Sequence, residues 1–115
     1  MSDRTALIRR LDKAFSRHIR ERDGHRCVLC GSCDTPECGH LFTRAAMSTR
    51  WSEANCACVC HACNARHEED DTAHTDWFIA THGEEAYDNL LRLHNTVVHF
   101  TNDDLRTMID KLEHE

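Results

Sequence analysis

Leu7, Ile8, Leu11, Phe15 and Ile19 recur at three- and four-residue steps, a spacing that predicts an amphipathic helix over residues 4–22. Arg10, Lys13, Arg17 and Arg20 follow the same steps on another face, either as a solvated flank or as a stripe for phosphate contacts. Asp23-Gly24 then signals a turn. The stretch "CVLCGSCDTPEC", residues 27–38, is rich in turn formers and holds the only proline, which suggests a knuckle followed by a loop. Two short strands are expected next, "HLFTRA" at 40–45 and "CACVC" at 56–60, joined through "AMSTRWSEAN". Alternation would place Cys56, Cys58 and Cys60 on one face of the second strand.

Residues 61–70 read as helical, and "DDTAHT" as a polar hinge. A helix over 76–82 should end at Gly83 as a left-handed cap, and 84–93 should follow with Ala86, Leu90 and Leu93 on one side. The last helix opens at "TNDD", where Thr101 or Asn102 caps and Asp103-Asp104 suit the positive end of the dipole. Its apolar stripe is Leu105, Met108, Ile109 and Leu112. The expected class is α+β.

A chain of 115 residues predicts one domain with a modest core. It divides into an N-terminal helix at 1–26, a central core at 27–70 and C-terminal helices at 71–115. Eight cysteines are far above ordinary usage and imply either disulfides or a metal. The opening "MSDRTALIRRLDKAF" holds no apolar run long enough for a signal peptide, so a reducing cytoplasm is expected, and with it a metal. No apolar run approaches the roughly 20 residues of a membrane span. Net charge is −6, but unevenly placed: residues 1–66 carry 11 Lys/Arg against 7 Asp/Glu, and residues 67–115 carry 3 against 13. An acidic whole can therefore still present a basic face to DNA.

Cys27-x-x-Cys30 and Cys60-x-x-Cys63 have the spacing that lets both sulfurs of a knuckle reach one tetrahedral ion. Zn²⁺ suits such thiolates and would close a long loop in a small chain. The 29 residues between the pairs exceed a simple ribbon gap, so something folded must sit there. Cys56 and Cys58 are expected as buried small side chains; a second zinc built from Cys33, Cys38 and a strand cysteine or nearby histidine is the alternative.

Within that gap lie His40, then Asn55 fifteen residues later, then Asn64 directly after the second knuckle. "GH" at 39–40, "N" at 55 and "C-x-x-C-N" at 60–64 resemble the HNH, or ββα-metal (His-Me finger), nuclease motif in its H-N-N form. With the helical text behind it, residues 27–112 are similar to the phage NinG (Rap) recombination endonuclease family. The resemblance implies a zinc-stapled ββα-metal core and a metal-dependent DNA endonuclease that nicks DNA or cleaves recombination intermediates in the host cytoplasm. His40 would be the general base, and Asn55 would hold it through the strand's backbone carbonyl. Asn64 would supply an oxygen to Mg²⁺ or Mn²⁺, assisted by His67 or Glu68 on the same helix face. Many relatives carry a ligating Asp or His just before the base; Gly39 cannot ligate, so Cys38 or Glu37 are further helpers.

Arg44, Arg50, Arg17 and Arg20 are the candidate DNA contacts, and Trp51 is expected in the core. The apolar stripes of the first and last helices could support a homodimer or face the monomer's own core. The competing reading is a non-catalytic zinc-knuckle module that binds nucleic acid or protein. A zinc-buffering or thiol-redox protein, suggested only by the surplus cysteines, is the third.

Overall fold

The computed structural model describes residues 2–114. In chain order the elements are α1 (Asp3–Arg22), β1 (Pro36–His40), α2 (Met47–Arg50), a 3₁₀ turn (Glu53–Asn55), β2 (Cys56–Cys60), α3 (His61–His67), α4 (Thr72–His82), α5 (Glu84–His94) and α6 (Asn102–Glu113). The class is α+β: one two-stranded antiparallel sheet among helices. No helix of the described residues is long and apolar enough to cross a membrane.

α1 starts where the Ser2 side chain accepts the Thr5 N–H, and α6 where Thr101 and Asp104 cap each other's backbone. Their apolar stripes find each other: Leu11, Phe15 and Ile19 pack with Leu105 and Ile109, together with Trp51 and Cys56. The stripes that suggested a homodimer are therefore used inside the monomer.

The hairpin pairs Pro36 with Cys60, Cys38 with Cys58, and His40 with Cys56. The first strand thus lies at 36–40 rather than at the expected 40–45. After His40 the chain leaves the ladder, because the Leu41 amide bonds the Asn55 carbonyl and Phe42 is clamped by the Asn55 side chain. Cys56 faces the α1–α6 core and Cys38 packs against the same core. Val59 lies instead with Cys27, Cys60 and Cys63. Cys60, at the strand end and at the N-cap of α3, joins this second cluster rather than sharing a cluster with Cys56 as alternation predicted.

One carboxylate fastens the connection to α1. Asp12 accepts Arg50 Nε at 3.0 Å, Arg50 Nη2 at 2.6 Å, Arg44 Nη2 at 3.1 Å and Trp51 Nε1 at 2.9 Å. Burial opposes its ionisation, but the bonds from Arg50 and Trp51 overcome this and hold the carboxyl below its ordinary range.

α4 begins at Thr72, earlier than the expected 76. Asp70 accepts the Thr72 amide and the Asp71 carbonyl accepts that of Thr75, so the supposed hinge supplies the first turn. That turn buries His74, 3 % exposed, beside His67 with ring centroids 5.2 Å apart. Farther along, Phe78 joins Leu41 and Leu90 in a third cluster under α5. Gly83, at φ 92°, separates α4 from α5 in a backbone conformation that side chains disfavour.

Burial, with neighbouring His67 and His40, pushes His74 down to about 4. Unfolded, the same ring binds a proton near 6.5, so its contribution to stability is complete above that pH and is lost as pH falls through about 4. Acid-titrated chemical denaturation should show the native chain losing about 3 kcal/mol more than His74→Phe between pH 6.5 and 4.

Candidate metal and hydrolytic site

The first knuckle turns at Gly31, φ 80°, where the Gly31 amide bonds the Cys27 carbonyl and the Cys27 amide bonds Ser32. The second is made by the helix start: Cys60 caps α3, its sulfur accepting the Cys63 amide at 3.5 Å. The Val28 amide bonds the Cys58 carbonyl and the His61 amide bonds Thr35, which lays one knuckle against the other. As a result the ligand atoms of Cys27, Cys30, Cys60 and Cys63 all lie within 4.8 Å of one another. Cys30 and Cys60 have their sulfurs 3.7 Å apart, close to the about 3.8 Å edge that Zn–S bonds of about 2.3 Å give in a tetrahedron. Burial works against ionising Cys27, yet amides of Cys60, Cys30 and Leu29 bring its thiol down to about 7. Burial and its three thiol neighbours push Cys63 up to about 12. Four crowded thiols with such opposed tendencies suit a divalent cation, whose charge stabilises the thiolates together.

His40 ends β1, half-buried on the Cys38 and Cys56 side. Its Nε2 lies 2.9 Å from the Arg50 carbonyl. A carbonyl only accepts, so Nε2 carries the ring proton and Nδ1 keeps its lone pair. Burial, chiefly, pushes the imidazole below its ordinary 6.5 and keeps it neutral. The carbonyl itself is held in place because the Arg50 guanidinium is spent on Asp12.

Asn55 is fully buried. It accepts the Phe42 amide at 2.8 Å and donates to the Phe42 carbonyl at 3.0 Å and to Thr49 at 3.1 Å. It pins the chain two residues beyond His40 and fastens the loop that carries Arg50, rather than bonding the carbonyl of His40 itself.

Asn64 belongs to the other side of the hairpin. Its carboxamide donates to Glu37 Oε1 at 2.9 Å, and Glu37 Oε2 meets His61 Nδ1 at 2.8 Å. The bond from Asn64 is the main reason the Glu37 carboxyl sits below its usual range. Gly39 lies between: a Cβ there would meet Val59 Cγ2 at 2.6 Å and Asn64 Oδ1 at 3.4 Å. No side chain fits at 39, and Glu37 is the nearest carboxylate along the strand on that face. His67 points its Nε2 at the Leu41 carbonyl, 3.0 Å away, and Glu68 caps α3 in the open.

Among the candidate DNA contacts, Arg50 is committed to Asp12 and Arg44 reaches the same carboxylate from the surface. Arg17 lines an open groove of about 630 Å³ between α1 and α6 with Lys13, Glu21 and an Arg10–Glu113 ion pair. Arg20 bonds the Ser16 carbonyl along α1.

A family model described as the bacteriophage lambda NinG protein matches residues 1–115. The chain belongs to the NinG family. The match takes in α1 as well, beyond the 27–112 over which sequence likeness was evident. No curated protein and no solved structure matches the chain. In this NinG-family chain the residues hardest to foresee were Asp12 and the Arg50 carbonyl. A backbone acceptor leaves no mark in a sequence, and one aspartate among twenty acidic residues gives no signal of its own.

Removing zinc with a chelator, or replacing Cys63 by Ser, should collapse the junction between the knuckles and lower the melting temperature by more than about 10 °C, read by circular dichroism. Asn55→Ala strands the Phe42 amide and two carbonyls in the interior. It should cost about 2–4 kcal/mol in urea titration with an unchanged m-value.

Proposed function

We propose that this NinG-family chain is a divalent-cation-dependent DNA endonuclease of the HNH type. Its hairpin and α3 would form a ββα-metal core, with His40 as the general base. The observation that carries the reading is the bond from His40 Nε2 to the Arg50 carbonyl, which leaves a neutral imidazole with Nδ1 available for a proton. A base of this kind takes the proton of a water as it attacks phosphorus. Asn55 keeps that nitrogen in place by holding the loop behind it.

The oxygens of Glu37 and Asn64 fit Mg²⁺ or Mn²⁺: a carboxylate and a carboxamide from two elements meet beside a position where no side chain can stand. A divalent cation there would offset charge on a phosphate held at that face of the hairpin, the face opposite the one His40 occupies. Lys13 and Arg17 along α1 offer a phosphodiester cationic charge, while Arg10 beside them is bound to Glu113. Family membership favours recombination intermediates as the substrate. The competing reading, a zinc module that binds without cutting, draws on the half-buried setting of His40 among Cys38 and Cys56, across the hairpin from Glu37 and Asn64.

Supercoiled plasmid incubated with the chain and Mg²⁺ or Mn²⁺ separates the two. Nicking should fall about a hundredfold to ten-thousandfold in His40→Ala at unchanged zinc content. Because the folded imidazole titrates below its ordinary 6.5, the acid limb of the rate should lie below pH 6.5. Retarded DNA with no nicks in the native chain would select the binding module instead.

A further inference from the structure

The hairpin face that carries His40 holds two further soft ligands. Cys38 sits two residues before it on β1, and Cys56 is its cross-strand partner on β2. The ligand atoms of the three residues lie within 4.8 Å of one another. We propose that Cys38, His40 and Cys56 form a second site for a soft divalent cation, zinc above all, separate from the four-thiolate site.

Three features besides proximity support it. The ligand set is two thiols and an imidazole, which select zinc over the hard cations that suit Glu37 and Asn64. The imidazole is already arranged as metal-bound histidines are: its Nε2 proton is given to a backbone carbonyl, which fixes the ring and leaves Nδ1 for the ion. The two thiols already share one proton: the bond from Cys56, helped by Arg22 and Arg20, favours the charged form of Cys38, while Cys38 and burial hold the Cys56 thiol up, so a bound cation has one proton to displace. Cys38 and His40 are only half-buried, so a water can complete a tetrahedron around three protein ligands. Cys33, exposed on the preceding loop, is no part of the cluster.

The site has a consequence that rests on the nuclease reading. Zinc bound here takes the same Nδ1 lone pair that would accept a proton from water, so the second zinc silences hydrolysis and its release restores it. The metal count and the nicking assay test these two statements separately.

The full chain, kept reduced, is titrated with zinc against a chromophoric chelator. It should bind two zinc ions, Cys56→Ala one, and Cys33→Ala two. Zinc X-ray absorption of the doubly loaded chain should average three sulfurs and one nitrogen or oxygen per ion. One zinc in the native chain, two retained by Cys56→Ala, or an all-sulfur shell would each overturn the site. If Cys56→Ala fails to fold, the absorption spectrum of the native chain decides alone. In the plasmid assay, zinc beyond the first equivalent should suppress nicking at least about tenfold more in the native chain than in Cys56→Ala. Equal suppression would overturn the link to His40, and nicking absent from both chains would overturn the nuclease reading while the metal count still decided the site.

Discussion

Two paired strands of five residues do not hold a shape in water by themselves, and the described residues offer no third strand. The four-thiolate junction answers that weakness. Cys27 and Cys30 come from the loop after α1, Cys60 from the end of β2 and Cys63 from the first turn of α3, so one ion held there would tie a loop, a strand and a helix at a single point. The residues of the proposed chemistry are placed from there. β1 is laid on β2, α3 is started at Cys60, and Asn64 is carried over Gly39.

The opposite end of the hairpin is fastened by polar groups. Asn55 closes the loop by gripping Phe42 and Thr49, and Asp12 closes it from α1 by gripping Arg50, Arg44 and Trp51. Asn55 is fully buried and Asp12 three-quarters so, where a satisfied polar group specifies one arrangement and an unsatisfied one is costly. Between them they set the Arg50 carbonyl, and the carbonyl sets the ring of His40. A chain of fastenings thus runs from a carboxylate on the first helix to a lone pair on the strand.

Much of this was legible in the residues. The 3.6-residue periodicity of Leu11, Phe15 and Ile19 and of Leu105 and Ile109 marked the two helices that enclose the core, and the paired C-x-x-C spacings marked the four thiols. Less legible were boundaries and partners. β1 was expected too late because "HLFTRA" holds the strand-favouring Phe42 and Thr43, while the true strand, "PECGH", opens on a proline and includes a glycine, both poor strand formers. "DDTAHT" looked like a hinge because capping residues and turn residues are the same residues. Arg44 and Arg50 looked free for phosphate because a cation's partner from a distant helix is invisible to local pattern.

The claim on which the rest depends is that the thiolate junction holds the hairpin in register. Amide hydrogen exchange on the zinc-loaded and zinc-stripped chain tests it directly. The account predicts that stripping zinc abolishes protection at Val28, Leu41, Phe42 and His61, whose amides bond across the junction and the loop, while the interior of α1 keeps part of its protection. Undiminished protection at Leu41 and Phe42 after complete zinc removal would contradict it.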